Sequence, residues 1–360
     1  MSALFEPISV GGATLSNRVV LAPLTRFRND DDHAPNADLA PEYYAERAIV
    51  PGTLLIAEAT DSSVALGGYA NTPGLYSAGQ VAAWKKVTDA VHAKGGVIFV
   101  QLWALGRVNP GNIVSRVISA STVQENPYPV PEEMSLDDIA AVESDFVAAA
   151  KNAIAAGFDG VEVHGAHGYL VDQFIQDVSN KRTDAYGGSV ENRARFALEI
   201  VDKVAAAIGE DKTAIRLSPF SQFQSMKMDD PFPTFSYIVS TLEKTHPKLA
   251  YIHFVEPRVS GGSDRTAAAN ETTDVYHALW SGPWIAAGGF TPESAKAYAD
   301  SHPNSLVAFG RAFIPNPDLV ARIKEGLPLV PYDRDTFYTA KAKEGYLGYA
   351  FAPELKGKYY

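Results

Sequence analysis

The chain has 360 residues, of which 31 are basic and 42 acidic, giving a formal net charge of −11. It contains no cysteine, which excludes disulfides, thiolate metal sites and cysteine nucleophiles and leaves any redox chemistry to a bound cofactor. The acidic balance and the lack of a run rich in lysine and arginine argue against nucleic acid as a partner.

The N-terminal segment, residues 1–10, has no basic residue and no long apolar run. It is therefore typical of neither a signal peptide nor a transit peptide. No stretch approaches the roughly 20 apolar residues of a membrane span. These features predict a soluble, cytoplasmic protein with no membrane partner, and nothing in the sequence indicates its oligomeric state.

The first predicted element is a β-hairpin at residues 5–18. Two segments, residues 5–10 and 13–18, flank Gly11-Gly12, a favoured two-residue turn. A hairpin placed before the first strand of a barrel could close one of its ends. The sequence therefore predicts a hairpin cap.

Strands and helices then alternate along the chain, which is the pattern of a parallel sheet wound by crossover helices. Predicted helices lie at residues 80–94, at 135–156 with Ser135 as N-cap, and at 189–208 closed by Gly209. Eight repeats in about 300 residues favour a single α/β domain, a (β/α)8 TIM barrel, over a doubly wound sheet. The eight predicted strands are residues 18–22, 53–57, 97–101, 160–164, 213–217, 250–254, 284–287 and 305–309.

The domain prediction has three parts within one unit, residues 1–360. The hairpin occupies residues 5–18, the barrel residues 18–326 and a C-terminal extension residues 327–360. The many aromatic residues of the extension indicate packing and not disorder.

Such barrels place their chemistry in the loops after the strands, and bind phosphate near strands seven and eight. Strand seven ends in Gly288-Gly289, and strand eight ends in Gly310-Arg311. Glycines allow backbone N–H groups to approach phosphate oxygens, and an arginine adds a bidentate partner. Either pair alone is read more simply as a turn, but together they indicate a cofactor that carries phosphate.

Polar side chains at other strand ends extend this interpretation. Strand three ends at Gln101, and Arg216 lies inside strand five. Because an unpaired arginine is costly to bury, Arg216 is expected to face a ligand or a carboxylate. Gln101 and Arg216 would suit the pyrimidine edge of a flavin, while a structural ion pair is the alternative for Arg216.

Strand four leads into the most distinctive segment of the chain. His164, His167 and Tyr169 follow one another within six residues, separated by Gly165 and Gly168. The glycines permit a turn just after His164, which would aim the three side chains into one cavity. This pattern predicts an active site.

These residues also resemble the old yellow enzyme family of FMN-dependent ene-reductases, and the matching segments occur in the family's order nearly end to end. The central match is His164-Gly-Ala-His167-Gly-Tyr169-Leu-Val-Asp-Gln173-Phe174, followed by Asn180-Lys-Arg182-Thr-Asp184-Ala-Tyr186-Gly187-Gly188-Ser-Val-Glu191-Asn192-Arg193. Further matches are Asn17-Arg18-Val19-Val20-Leu21-Ala22-Pro23-Leu24-Thr25-Arg26, Gln101-Leu-Trp103, Arg216-Leu-Ser-Pro219, Phe309-Gly310-Arg311-Ala-Phe313-Ile-Pro-Asn-Pro317-Asp318-Leu319 and Tyr332-Asp-Arg-Asp-Thr-Phe337-Tyr338.

The resemblance implies non-covalent FMN at the C-terminal mouth of the barrel, reduced by NADPH or NADH and reoxidised by a small-molecule enone or enal. It implies that His164 and His167 hold the substrate carbonyl and that Tyr169 protonates the α-carbon after hydride transfer from flavin N5. Trp103 and Tyr338 would shape the substrate pocket, with Phe337 beside them. The cofactor residues would be Pro23, Leu24, Thr25, Ala59, Gln101, His164, Arg216, Gly288, Gly289, Gly310 and Arg311.

Several alternatives remain open at this point. The two histidines could bind a metal, but that needs a third ligand such as Glu162 or Asp172, and Glu162 is expected to point away from the barrel lumen. They could also be core histidines with Tyr169 packed beside them. A glycosidase using Glu58 and Glu162 is the runner-up enzyme, although a neutral sugar needs no phosphate site.

Even if the protein binds a flavin, its substrate and the reaction that it catalyses are not determined by the sequence. The protein could be a flavin-dependent isomerase, a reductase of one secondary-metabolite aldehyde, or a flavin-binding protein without turnover. The resemblance is to fungal members in particular, and many members have asparagine in place of His167. Residues 220–231 and 256–265 are expected to select the substrate.

Overall fold

The computed structural model describes residues 2–360. Its centre is a closed barrel of eight parallel strands, as the sequence predicts. Each predicted strand is present, although the strands that begin at Leu54 and Val97 run further toward the carboxyl end than expected. The barrel strands are β3 (Val19–Leu21), β4 (Leu54–Asp61), β5 (Val97–Trp103), β8 (Gly160–Gly165), β9 (Thr213–Leu217), β10 (Tyr251–Val255), β13 (Trp284–Ala287) and β14 (Ser305–Phe309).

The barrel strands are buried on both faces, which explains why most of their residues are apolar. Along β4, Leu54 and Ile56 pack into the barrel interior, whereas Leu55 and Ala57 pack outward against the helices. This alternation is the two-residue period of a strand. A break in register between Ala57 and Thr60 marks a bulge where β4 approaches the mouth.

The predicted hairpin is present but shorter, as β1 (Ile8–Val10) and β2 (Ala13–Leu15). Val10 and Leu15 pack with the interior residues of the barrel. Gly11 has a positive φ of +55°, and a Cβ there would lie 2.1 Å from the carbonyl oxygen of Asp211, which precedes β9. The hairpin therefore closes the N-terminal end of the barrel and leaves the carboxyl ends of the strands open.

Helices surround the barrel, and polar caps fix their starts. Ser135 is the N-cap of α3 (Leu136–Ala155), as predicted. Ser189 caps α5 (Val190–Ile208), and Gly209 ends it, as predicted. The helix predicted to begin at Gln80 begins two residues earlier, at Ala78, because Ser77 is the N-cap and Gln80 completes a capping box with it. The helices are α1 (Ala40–Glu46), α2 (Ala78–His92), α3 (Leu136–Ala155), α4 (Leu170–Ile175), α5 (Val190–Ile208), α6 (Phe232–Thr245), α7 (Asp274–His277), α8 (Pro292–Ser301) and α9 (Leu319–Glu325).

Two further pairs of short strands lie in the loops at the mouth side. These are β6 (Ile118–Ser119) with β7 (Glu132–Glu133), and β11 (Val259–Ser260) with β12 (Ser263–Asp264). Over residues 2–360, no helix is both long and apolar enough to cross a membrane.

The C-terminal extension is held by two buried arginines from the loop after β3. Arg26 donates to the carbonyl oxygens of Phe337 and Gly345, at 3.0 and 2.6 Å. Arg28 donates to four carbonyls of the same extension. Hydrogen bonds from charged donors are stronger than neutral ones, so the extension is fixed against the barrel mouth.

Candidate active site

A cavity of about 790 Å³ opens at the carboxyl ends of the barrel strands. This size is within the range of small-molecule and cofactor sites. All the predicted site residues line this one cavity: Pro23, Leu24, Thr25, Ala59, Gln101, Trp103, His164, His167, Tyr169, Arg216, Gly288, Gly289, Gly310, Arg311 and Tyr338. The structure therefore brings together residues from the ends of seven barrel strands and from the C-terminal extension.

The two histidines and the tyrosine converge as the sequence suggests, but the turn lies later than expected. β8 continues through Gly165, and the chain turns at His167 and Gly168, whose φ angles are +59° and +77°. Gly165 serves close packing instead, because a Cβ there would lie 3.0 Å from the carbonyl oxygen of Arg216. The ring of His164 lies 5.0 Å from that of Tyr169 and 6.2 Å from that of His167.

The loop that carries His167 is fixed by hydrogen bonds. The backbone N–H of His167 donates to Ser218 Oγ at 2.7 Å, and its Nδ1 lies 3.3 Å from Ser221 Oγ. The N–H of Gly168 donates to Asp172 Oδ2 at 2.8 Å. Asp172 therefore supports the turn, and a left-handed backbone at a histidine is held in place by its surroundings.

Burial controls the protonation of all three side chains. Burial, with the charge of Arg216, lowers the pKa of His164 and of His167 well below the ordinary value. Burial raises the pKa of Tyr169, although a hydrogen bond from Gln224 opposes the shift. At neutral pH the site therefore holds two neutral imidazoles, each with one N–H, and a protonated phenol.

These directions predict a flat pH profile for the step in which an alkene reoxidises the enzyme. His164 and His167 gain a proton only well below about pH 6.5, and Tyr169 loses its proton only above about pH 10. The rate constant for reoxidation should therefore be constant between roughly pH 6 and pH 9. Stopped-flow measurement across this range tests the prediction, and an ionisation with its midpoint near 6.5 would contradict it.

The opposite wall of the cavity has the glycine-rich ends of β13 and β14. Gly288 and Gly289 have φ angles of +119° and +64°, which residues with a side chain rarely adopt. A Cβ on Gly288 would also lie only 2.6 Å from the side chain of Val259. Gly310 and Arg311 line the cavity beside them. These glycines allow the backbone to come close to a bound phosphate, and a phosphate site at this wall stays a prediction.

Arg311 has a partner that the sequence did not indicate. Its Nη1 donates to Asp264 Oδ2 at 3.0 Å, its Nη2 contacts Asp264 Oδ1, and Nη1 lies 3.2 Å from the hydroxyl of Tyr332. Asp264 is in β12, so the ion pair fastens the β11–β12 hairpin over this end of the cavity. The side chain of Asp264 is largely exposed to solvent, so its ion pair with Arg311 is weak. Arg311 can therefore exchange Asp264 for another anion.

Between these two walls, several buried nitrogen atoms have no hydrogen-bond partner within residues 2–360. They are Trp103 Nε1, His164 Nδ1 and Arg216 Nε, all on residues that line the cavity. Buried polar groups are normally hydrogen-bonded, so unsatisfied donors at a cavity indicate a ligand with several acceptors. Together with the glycine wall, these residues fit the ring and the phosphate of FMN.

The expectation that Glu162 points away from the lumen is wrong. Glu162 Oε1 accepts from Gln101 Nε2 at 2.7 Å, and Oε2 accepts from His253 Nδ1 at 2.8 Å, inside the barrel. The reason is the two-residue period of a strand, which puts Glu162 and His164 on the same face of β8. His253, in β10, is a functional candidate that sequence reasoning missed.

The metal and glycosidase alternatives lack support in this geometry. Within residues 2–360 no group of three or more His, Asp or Glu side chains is arranged to hold a metal ion. Neither Glu58 nor Glu162 lines the cavity. Glu162 is hydrogen-bonded to Gln101 and His253 below it, and Glu58 accepts hydrogen bonds from Arg26 N and Asn29 Nδ2. A glycosidase needs both carboxylates at the substrate.

Aromatic side chains form the outer part of the cavity. Trp103 meets Tyr169 edge to face at 4.8 Å and lies 5.9 Å from the ring of Tyr69. The hydroxyls of Tyr69 and Tyr128 lie 2.9 Å apart. Tyr338 lies at the rim and is 56% exposed. The two loops expected to select the substrate contribute Phe223, Gln224, Val259 and Asp264 to the cavity lining.

Comparison with known proteins gives consistent matches over nearly the whole chain. Residues 3–330 match the model of the NADH:flavin oxidoreductase / NADH oxidase family. The chain is 49% identical over 369 residues to chanoclavine-I aldehyde reductase fgaOx3 of Penicillium roqueforti, covering 99% of this chain and 98% of that protein. It is 46% identical over 370 residues to the NADP-dependent oxidoreductase lnbE of Aspergillus flavus, covering 98% and 97%. Among solved structures, Old Yellow Enzyme from Pichia sp. AKU4542 matches with a TM-score of 0.90 and 40% identity, covering 98% and 94%.

Proposed function

This chain belongs to the old yellow enzyme family of NADH:flavin oxidoreductases, and on that premise we propose that it reduces the activated C=C bond of α,β-unsaturated carbonyl compounds. It is a flavin oxidoreductase with FMN as cofactor and a nicotinamide as hydride donor. The observation that carries the proposal is the trio of His164, His167 and Tyr169 in one cavity with neutral imidazoles and a protonated phenol.

Bound FMN, once reduced by the nicotinamide, supplies the hydride that reaches the β-carbon of the substrate. The residues of the chain have the remaining tasks. His164 and His167 each offer one N–H to the carbonyl oxygen, on which negative charge develops as the β-carbon is reduced. Preorganised donors of this kind contribute about 100- to 1000-fold each in rate.

Tyr169 completes the reaction by giving its phenolic proton to the α-carbon. Its raised pKa keeps the proton in place until an enolate, which is a strong base, is present. Trp103 packs edge to face on the ring and limits its rotation. The presence of this proton donor supports net reduction over redox-neutral isomerisation and over binding without turnover.

The cofactor would be held by three groups of residues. Gly288, Gly289, Gly310 and Arg311 would take the phosphate, and Arg311 would then exchange Asp264 for the phosphate oxygens. Gln101 and Arg216 would meet the polar edge of the ring. Pro23, Leu24, Thr25 and Ala59 would line its remaining edge and face. Because Arg26 and Arg28 join the C-terminal extension to this mouth, we take residues 1–360 as one FMN-binding domain.

An α,β-unsaturated aldehyde is the substrate class that we favour. The chain shares 49% identity with a protein named as an aldehyde reductase, and aromatic rings of Trp103, Tyr69 and Tyr128 surround the space beside Tyr169. Such rings pack well against a flat conjugated molecule. A small enal attached to a larger ring system would fill this space better than a simple enone.

Purified protein tests the proposal directly. We expect a yellow protein with the absorbance bands of bound FMN, which oxidises NADPH or NADH when cinnamaldehyde, cyclohexenone or a maleimide is added. Cinnamaldehyde should give the largest kcat/KM, and product analysis should show the saturated aldehyde. FMN binding without any alkene reduction would favour the non-catalytic alternative, and the lack of FMN binding would contradict the whole proposal.

A further inference from the structure

We propose that Glu162 is a positioning residue for the cofactor, which orients the side-chain amide of Gln101 and offsets the charge of Arg216, and so keeps the reduction potential of bound FMN low. The inference rests on the proposed function, because it requires Gln101 and Arg216 to face the flavin. Glu162 acts through these residues, since they line the cavity and it does not.

The first observation is a chain of two hydrogen bonds between three buried residues beneath the cavity. One carboxylate oxygen of Glu162 accepts a hydrogen bond from Gln101 Nε2 at 2.7 Å, and the other accepts one from His253 Nδ1 at 2.8 Å. Glu162 and His253 have no exposed surface, and Gln101 is 1% exposed. The three residues come from β8, β10 and β5, so the barrel itself fixes their separations.

This network determines which way the amide of Gln101 faces. An ionised carboxylate only accepts hydrogen bonds, whereas a side-chain amide has one donor end and one acceptor end. The NH2 group of Gln101 must therefore face Glu162, which leaves its carbonyl oxygen as the acceptor available at the cavity. An acceptor here matches the ring N–H at the polar edge of a flavin.

The second observation is the charge balance around Arg216. Burial works to raise the pKa of Glu162, but the interaction with His253, the positive charge of Arg216 and the hydrogen bond from Gln101 bring that pKa below its ordinary value. Burial lowers the pKa of His253, which leaves a neutral ring whose Nδ1–H donates to Glu162. The network therefore carries one negative charge, and it faces the single positive charge of Arg216.

Reduction adds negative charge to the cofactor ring, so nearby charges shift the balance between its two states. Arg216 favours the reduced state and Glu162 opposes it, and buried charges are only weakly screened. Removing the carboxylate while keeping the shape of the side chain should therefore raise the reduction potential. A purely structural role for Glu162 gives no reason for a shift in this direction.

The test is the reduction potential of FMN in Glu162→Gln, measured against reference dyes. We expect reduced FMN to gain about tenfold in affinity relative to oxidised FMN, which corresponds to about 30 mV upward for a two-electron couple. Reduction by NADPH should become faster and reoxidation by an enal slower. Oxidised FMN should bind several-fold more weakly by fluorescence quenching, because the amide of Gln101 is no longer fixed.

Three comparisons separate charge from stability. Glu162→Asp keeps the charge and should keep the wild-type potential even if FMN binds less tightly. Glu143→Gln removes another buried carboxylate, paired with Lys203 outside the barrel, and should leave the potential unchanged. If Glu162→Gln alone does not fold, the same change in an Arg216→Gln background removes both buried charges together, and its potential should exceed that of Arg216→Gln alone.

These measurements distinguish a failure of the inference on Glu162 from a failure of the proposed function. Wild-type protein that binds no FMN would contradict the proposed function. Wild-type protein that binds FMN, together with an unchanged or lowered potential in Glu162→Gln, would overturn only the inference on Glu162. An equal rise in Glu162→Asp would also overturn it, since the charge would then not be the cause.

Discussion

In a Tyr169→Phe variant, reoxidation of the reduced enzyme by an enal should slow about 100- to 10,000-fold, the range that a positioned general acid contributes. Reduction of the same variant by NADPH should keep its wild-type rate, because no proton from Tyr169 takes part in it. The phenylalanine ring preserves the edge-to-face contact with Trp103, so the cavity should keep its shape. Stopped-flow spectroscopy of the two half-reactions at the flavin bands measures both rates.

The matched control for this variant is Tyr128→Phe. Tyr128 also lines the cavity, but its hydroxyl lies 2.9 Å from that of Tyr69, at the outer wall. Its loss should change alkene reoxidation by only a few-fold. A nitroalkene, whose reduced product can take its proton from water after release, should be reduced by Tyr169→Phe nearly as fast as by wild type. Equal losses in both half-reactions would rule out a proton-donor role for Tyr169.

The sequence was sufficient for the architecture of the barrel because each strand carries its own signal. An apolar run buried on both faces, such as β13 or β14, can be identified locally, and the glycines after β13 and β14 follow from their place in the barrel. The positions of Ser135, Ser189 and Gly209 at helix ends are also local. These features need no knowledge of what packs against them.

Partners that lie far apart in the chain were missed. His253 meets Glu162 across 91 residues and Asp264 meets Arg311 across 47, and no local pattern joins either pair. Two signals were nevertheless available. A histidine inside the apolar strand β10 is as unusual as the arginine inside β9, and the two-residue period places Glu162 beside His164. The later turn at His167 was not predictable, because a left-handed histidine depends on the hydrogen bond from its N–H to Ser218.

The roles of the two histidines are separable because their surroundings differ. Ser218 and Ser221 hold His167 on a strained loop, whereas His164 is on the end of β8 and its Nδ1 has no partner among the described residues 2–360. An amide side chain at position 167 would still offer an N–H donor to the substrate oxygen. His164 should therefore contribute more to binding of the carbonyl oxygen.

In His164→Ala, reoxidation by an enal should slow about 100- to 1000-fold, the loss expected for one donor to a developing oxyanion. Phenols, whose oxygen imitates that of the enolate, should bind more weakly by a similar factor, which titration of their long-wavelength band with the oxidised flavin measures. His167→Asn keeps an N–H donor and should lose less than tenfold in both quantities. Because His164 and Arg216 are paired residues on adjacent strands, the FMN content of each variant must be measured alongside. An unchanged phenol affinity in FMN-loaded His164→Ala would show that the oxygen is held by other groups, and His167 with Ser221 would then be the first to examine.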